Sequence, residues 1–288
     1  MERVSNGMFF ARQGWYPAGA EACRWQIDQY LDTLQEMPLP ATLPGRAGIV
    51  PHAGWMFSGA LAAQVFGALA ARVASVDTVV LFGGHLGARS QSWLLSEGVW
   101  PTPLGDVEVD TRLAHALGEA TALPRIGPAD YEPDNTIELQ VPLLRAVFPE
   151  GRLVVAGVAA DEHAGDVGRA VVEQAARLDR SIVVVGSTDL THYGPNYGFS
   201  PHGRGEQAVR WVKEENDARA VALMTALDAE TLRTEALQEH FCCCPGAAAA
   251  AVGAARTAGA TTGHTLSTLT SYDIRPGESF VGYAAVVF

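Results

Sequence analysis

Short apolar runs alternate with longer amphipathic stretches along most of the 288-residue chain. Apolar runs of about four to eight residues between turn signals are typical of strands buried in a parallel sheet. Here they cover residues 47–51, 77–82, 153–158 and 182–186. Helical spacing follows over residues 58–73, 135–148, 164–178, 205–227 and 246–257. The alternation predicts an α/β fold with a mainly parallel central sheet covered by helices on both faces.

Antiparallel additions are expected at two places. Residues 92–97 and 107–109 flank a Pro-Thr-Pro turn and predict a hairpin, and the tail is β-rich over residues 265–272 and 280–288. No internal repeat, linker or shift in composition interrupts the pattern. We therefore predict one domain over residues 1–288.

Charge and apolar content limit the kinds of partner and the compartment that we expect. The chain carries 20 Lys and Arg against 32 Asp and Glu, a formal charge of −12 that argues against nucleic acid and anionic membranes. Neither a signal peptide nor a spanning helix is predicted, because no apolar run reaches about 18 residues. We expect a cytoplasmic protein whose four cysteines are not disulfide-bonded, which leaves metal binding, reactivity or packing as their roles.

Polar side chains follow three of the predicted strands. His52 follows the first, His85 follows the second after two glycines, and Asp189 and His192 follow the strand at 182–186. Ligands of open α/β sheets bind beyond the carboxyl ends of the strands, so parallel strands would bring these side chains to one edge. The other five histidines are interpreted as surface or hydrogen-bonded residues.

Two imidazoles and one anionic side chain form a common transition-metal site with open positions. Cys242 could supply the anion, because it precedes a predicted helix whose N-terminus favours a thiolate. A small buried packing residue is an equally good interpretation of Cys242. Asp189 could orient His192 for proton transfer, or it could cap a turn. Glu138 is either a buried partner of the site or an exposed charge.

Taken in order, these residues resemble the Memo family, which is related in fold to class III extradiol ring-cleaving dioxygenases. The resemblance spans most of the chain. It rests on Trp15-Tyr16-Pro17, Pro51-His52-Ala53-Gly54, Ser58-Gly59, Gly84-His85, residues 135–142, Ser187-Thr188-Asp189 with His192, Cys242, and Gly282-Tyr283. It implies that His52, His85 and Cys242 bind a metal, with Asp189 and His192 beside it, and that the metal is ferrous iron or copper in preference to zinc.

Two positions depart from the family pattern. Asn135 stands where the family usually has a histidine, and this change removes a pocket base or a hydrogen-bond partner. Cys243 and Cys244 follow Cys242, where the family normally has a glycine after its cysteine. The second change leaves open which cysteine points inward, and it offers an additional soft ligand.

The resemblance and the candidate residues favour a metal-dependent non-haem oxidoreductase of dioxygenase type. In it His192 would move a proton and Asp189 would orient it, and the partners would be a small-molecule substrate and dioxygen. The alternative is a non-catalytic copper- or iron-binding protein or adaptor, for which a protein partner is expected. Zinc-dependent hydrolysis is a third interpretation, supported only by generic ligand chemistry.

Overall fold

The computed structural model describes residues 1–33 and 45–288. Within these residues, nine strands form one sheet and two more form a separate ribbon. The strands are β1 (Ala47–Val50), β2 (Thr78–Gly83), β3 (Trp93–Leu95), β4 (Val99–Trp100), β5 (Val107–Glu108), β6 (Arg125–Ile126), β7 (Arg152–Gly157), β8 (Ile182–Ser187), β9 (His192–Tyr193), β10 (His264–Thr270) and β11 (Phe280–Val287). The order across the sheet is β10-β11-β1-β8-β2-β7-β3-β6, and β9 pairs with β11.

The centre of the sheet is parallel. β1 pairs with β8, β8 with β2, and β2 with β7, all in the same direction, whereas β11 and β10 add antiparallel strands on one side. All residues of β1, β2 and β8 are buried, as expected for strands covered on both faces. The predicted α/β class and the mainly parallel sheet are confirmed.

The α-helices lie around this sheet. They are α1 (Phe9–Arg12), α2 (Ala20–Asp32), α3 (Trp55–Ala70), α4 (Thr111–Thr121), α5 (Asn135–Glu138), α6 (Val141–Val147), α7 (Ala164–Arg177), α8 (Glu206–Trp211), α9 (Asp217–Thr225), α10 (Ala229–Glu239), α11 (Pro245–Thr257) and α12 (Ser271–Ile274). No helix in the described part of the chain is long and apolar enough to cross a bilayer.

Two glycines identify the covered faces. A Cβ atom at Gly48 of β1 would lie 2.5 Å from Val65 of α3, and one at Gly186 of β8 would lie 2.6 Å from the Ala247 carbonyl of α11. Gly186 pairs with Ile49, the next residue after Gly48, so the two glycines point to opposite faces. Helices α3 and α11 therefore cover opposite faces of the sheet, as predicted.

Two predicted elements differ from the structure. The hairpin over residues 92–97 and 107–109 is wrong, because β3 joins the main sheet beside β7 while β4 pairs with β5. Buried Leu94 and Leu95 explain this placement, since they extend the core at the edge of the sheet. The helix predicted over residues 135–148 is broken between α5 and α6 near Pro142, a residue that cannot donate a helical hydrogen bond.

Candidate metal centre

The loops after β1 and β2 bring His52 and His85 together, as predicted from the parallel strands. The His52 side chain is fully buried, and the two imidazole rings are perpendicular with centroids 5.0 Å apart. Gly83 and Gly84 make this approach possible. A Cβ at Gly83 would lie 2.3 Å from Thr136 Oγ1, and Gly84 has a φ of +93°, a backbone conformation that favours glycine.

Cys243 and Cys244, in the loop before α11, complete a cluster with the two histidines. Sγ of Cys243 is 3.3 Å from His52 Nε2, Sγ of Cys244 is 3.4 Å from His85 Nδ1, and the two sulfur atoms are 3.6 Å apart. One donor atom from each of the four residues lies within 4.8 Å of all the others. Among the described residues this is the group of His, Cys, Asp and Glu side chains that could hold a metal ion.

The donor separations fit a small transition-metal ion. Metal–nitrogen bonds of about 2.0–2.1 Å and metal–sulfur bonds of about 2.3 Å give tetrahedral edges of roughly 3.3–3.8 Å. Three of the six separations, 3.3, 3.4 and 3.6 Å, fall in that interval, and all six are within 4.8 Å. Imidazole and thiolate donors suit iron, copper or zinc and disfavour hard cations such as magnesium. The residues therefore fit a bound transition metal.

The remaining ring nitrogen of each histidine has its own partner. His52 Nδ1 is 3.0 Å from Ser187 Oγ, and His85 Nε2 is 3.2 Å from Asn135 Oδ1. The Asn135 amide also donates a hydrogen bond to the His52 carbonyl oxygen. Such outer contacts fix the tautomer and orientation of metal-binding histidines. Asn135 thus links the two histidines.

Cys242, the predicted third ligand, lies beside this cluster and is not one of its four members. Its sulfur is 3.2 Å from Thr188 Oγ1, and its side chain is buried. Burial and the neighbouring Cys243 charge raise the pKa of Cys242 to about 12, so it stays a neutral thiol near neutral pH. Consecutive side chains in an irregular loop point in different directions, and a run of three cysteines gives no signal for choosing among them.

Cys243 has the opposite electrostatic environment. Burial alone would raise its pKa, but the Cys244 thiol and the imidazoles of His52 and His192 lower it well below the usual value. Burial would likewise lower the pKa of His52, yet Asp189 and Cys243 outweigh it and raise the value to about 9. Cys243 is therefore the cysteine that these neighbours favour as a thiolate.

Asp189 and His192 lie next to the cluster, as predicted. Asp189 Oδ1 accepts a hydrogen bond of 2.7 Å from the His52 backbone, and its Oδ2 is 3.8 Å from His192 Nε2. The second distance is that of an ion pair but too long for a hydrogen bond. His192 Nε2 is buried and has no hydrogen-bond partner within the described chain. Burial would lower the pKa of His192, but Asp189 and Cys243 raise it to about 10.

Asp217 supports the loop that carries His192, a role that the sequence did not indicate. Its Oδ1 accepts hydrogen bonds from Thr191 N and Thr191 Oγ1, at 3.1 and 2.5 Å. The residue is buried where a π-helical turn, Val212–Asn216, joins α9, and burial raises its pKa to about 7. Asp217 fits there because residue 282 is a glycine: a Cβ at Gly282 would lie 1.8 Å from Asp217 Oδ2. In the sequence, Asp217 lies within the helix predicted over residues 205–227, and its position gives no signal for this contact.

Glu138 is a buried anchor for the N-terminal segment. Its carboxylate accepts hydrogen bonds from the backbone N–H groups of Phe9, Phe10 and Ala11 and from the Tyr16 hydroxyl. Burial nevertheless raises its pKa, because it outweighs these four bonds. The anchored segment leads to Trp15, whose side chain lines a cavity beside the metal cluster. Glu138 is therefore not an exposed charge, but its hydrogen bonds go to the N-terminal segment and not to the metal cluster.

Two cavities meet at this edge of the sheet. The larger, about 650 Å³, reaches His52, His85, Asn135, Asp189 and His192. The smaller, about 490 Å³, is lined by both Cys242 and Cys243 and shares His192 and Tyr197 with the larger one. The cluster is thus only partly buried, with His85 exposed and Cys243 half-buried, and it is accessible from two sides. Such concave sites are where small molecules usually bind.

Comparison with known proteins places the chain in a family. The sequence model of the Memo-like protein family matches residues 12–287. A MEMO1 family protein from Methanopyrus kandleri is 34% identical over 287 residues, covering 95% of each chain, and one from Thermococcus onnurineus is 32% identical over 251 residues, covering 84% of this chain and 86% of that one. An uncharacterized Escherichia coli K12 protein of known crystal structure aligns with a TM-score of 0.46 at 15% identity, covering 78% of this chain and 91% of that one. The chain belongs to the Memo-like protein family.

Proposed function

We propose that this chain is a non-haem oxidoreductase that uses iron or copper held by His52, His85 and Cys243. The observation that carries the proposal is the joint position of the cluster and His192. His52, His85 and His192 line the same cavity of about 650 Å³, and Cys243 and His192 line the neighbouring one of about 490 Å³. The Nε2 atom of His192 is buried and has no hydrogen-bond partner among the described residues. A purely structural metal site would need neither the imidazole nor the cavity.

Choosing Cys243 in place of Cys242 follows from charge and position. Cys243 lies next to His52, and its environment favours the thiolate, whereas Cys242 is a buried neutral thiol bonded to Thr188. Cys244 completes the donor set as a fourth group. Burial and the neighbouring Cys243 raise the pKa of Cys244 well above its usual value. While Cys244 keeps its proton, two histidines and one thiolate leave room for a substrate atom.

In this proposal the chain's own residues orient the histidines, exchange a proton with the substrate and exclude water from the site. A bound iron or copper ion would supply the activation of dioxygen. His192 exchanges a proton with the substrate at its Nε2 atom, which has no other hydrogen-bond partner in the described chain. Asp189 holds the His52 backbone and faces the His192 ring, so it aligns both histidines. Tyr197 packs against the His192 ring, with centroids 4.8 Å apart, and shields it from water.

The test separates metal binding from turnover. We expect His192→Gln to keep the metal content of the wild type and to lower oxygen uptake with catechol-like substrates about 100-fold or more, the usual contribution of a general acid or base. His163→Gln is the matched control, because this exposed histidine directly precedes α7 and lines neither cavity at the cluster. Equal oxygen uptake by wild type and His192→Gln would contradict the assigned role.

A non-catalytic metal-binding protein is the second candidate, and the four donors favour it. Structural sites are typically closed by four protein ligands, and His52, His85, Cys243 and Cys244 could provide them. This candidate predicts firm metal binding and no substrate-dependent oxygen uptake in any variant. It also predicts that Cys244→Ser weakens metal retention as strongly as Cys243→Ser. Under the oxidoreductase proposal, Cys244→Ser has the smaller effect.

A further inference from the structure

We propose that the cavity of about 650 Å³ beside the metal cluster binds a small molecule with a flat apolar body and a single carboxylate, and that Arg275 at its rim recognises the carboxylate. The proposal deepens the function above and rests on it, because the cavity opens on the same His52, His85 and His192 side chains. It names the class of substrate and assigns a specificity-determining residue.

The walls of the cavity are suited to a flat apolar body. They include Trp15, Met56, Phe57, Tyr197 and Tyr283. Three of these remain open to solvent, with exposed fractions of 37% for Trp15, 65% for Met56 and 45% for Tyr197. Aromatic side chains bind flat rings by stacking and edge contacts, and methionine adapts to irregular shapes. Large apolar groups left at the mouth of a cavity are most simply explained by a ligand that covers them.

The charges around the cavity are unequal. Arg275 is the one arginine or lysine among the lining residues, and no described carboxylate pairs with it. The acidic residues nearest to it in sequence already have partners, since Asp273 pairs with Lys213 and Glu278 pairs with Arg204. In a chain with a net charge of −12, an unpaired guanidinium at a cavity mouth is a specific attraction for an anion.

The depth of the groups sets the orientation of the ligand. Arg275 is exposed and follows α12, where its backbone N–H bonds to the Ser271 carbonyl. His52 and Asp189, by contrast, are buried. The ligand therefore places its carboxylate at the rim and its opposite end at the metal cluster. One guanidinium matches one carboxylate in a two-bond geometry.

The test is equilibrium binding of matched probes to the metal-free, full-length protein under reducing conditions, followed by calorimetry or dialysis. The probes are 2-naphthoate and the neutral 2-naphthamide, which differ in charge but hardly in shape. We expect the wild type to bind the carboxylate about tenfold more tightly than the amide, a ratio equal to about 1.4 kcal/mol. Arg275→Gln should bind the two probes equally, whereas Arg256→Gln, an exposed control outside this cavity, should keep the preference.

Three results would overturn the proposal. They are equal binding of both probes by the wild type, a preference that survives Arg275→Gln, and a preference lost in the Arg256→Gln control. Arg275 is exposed and makes no side-chain bond among the described residues, so its glutamine variant is expected to fold, and a thermal melt verifies this. Because the protein is metal-free, the result does not depend on oxygen chemistry. If the protein shows no oxygen uptake but keeps its preference for the carboxylate probe, the oxidoreductase proposal is refuted and the carboxylate site is not.

Discussion

Removing the Glu138 carboxylate is expected to destabilise the fold by releasing the N-terminal segment that it anchors. The carboxylate accepts four hydrogen bonds, from Phe9 N at 2.9 Å, Phe10 N at 2.8 Å, Ala11 N at 3.1 Å and the Tyr16 hydroxyl at 3.1 Å. In Glu138→Ala these donors lose their partner, and the first turn of α1 loses the negative charge at its N-terminus.

The magnitude follows from the burial of the donors. Ala11 N and the Tyr16 hydroxyl are in buried pairs, where each unsatisfied donor costs about 1–3 kcal/mol. The N–H groups of Phe9 and Phe10 are partly buried and can reach water, so each costs about 0.5–1 kcal/mol, near the low end for a lost helix cap. Relief from burying a charge offsets part of this sum. We expect a net loss of about 3–5 kcal/mol in the free energy of unfolding.

Urea unfolding followed by tryptophan fluorescence measures this loss. Glu138→Gln keeps one acceptor oxygen and should lose about half as much, and Glu119→Ala, an exposed glutamate on α4, should stay within about 0.5 kcal/mol of the wild type. A loss below about 1 kcal/mol in Glu138→Ala would show that water replaces the carboxylate and that the segment is not anchored there.

Three further outcomes are expected. Asp217 has a pKa of about 7 in the fold against an ordinary 3.8, so the folded state keeps a proton that the unfolded state releases, and stability falls as pH rises through that window. Asp217→Asn has no such titration, so its free energy of unfolding in urea, relative to that of the wild type, should rise by about 2–3 kcal/mol between about pH 5 and pH 8. If this difference between variant and wild type does not change with pH, the raised pKa of Asp217 is refuted. Gly168→Ala places a Cβ 1.8 Å from the Ala250 carbonyl oxygen and should lower the free energy of unfolding by about 2 kcal/mol or more. Gly87→Ala is the control and should be neutral, because no atom lies closer than 4.0 Å to the added Cβ. Equal effects of the two substitutions would contradict the close packing of α7 and α11. His52→Ala should abolish stoichiometric metal binding, and wild-type metal content in that variant would exclude His52 as a ligand.

Much of the site's position could be predicted, because its residues directly follow parallel strands of the sheet. Continuous apolar runs identified β1, β2 and β8, and a polar residue directly after a parallel strand must lie at its carboxyl edge. His52 and His85 meet for this reason. The Asp189–His192 pair follows from the same rule, since only two residues separate them on one loop.

The contacts that could not be predicted depend on long-range packing. Glu138 bonds to residues more than 120 positions away in the chain, and Asp217 occupies space left by Gly282. No local pattern reports such pairs. The choice among three consecutive cysteines depends on the path of one loop between α10 and α11, and there Cys243 and Cys244 turn to the histidines while Cys242 turns to Thr188.

The most direct test of the metal centre is elemental analysis of protein purified anaerobically, comparing the wild type with Cys243→Ser and Cys242→Ser. The proposed function predicts near-stoichiometric iron or copper in the wild type and in Cys242→Ser, and the cluster geometry predicts loss of the metal from Cys243→Ser. A wild type that neither holds nor takes up a transition metal, or a Cys242→Ser variant that loses it while Cys243→Ser retains it, would contradict the account.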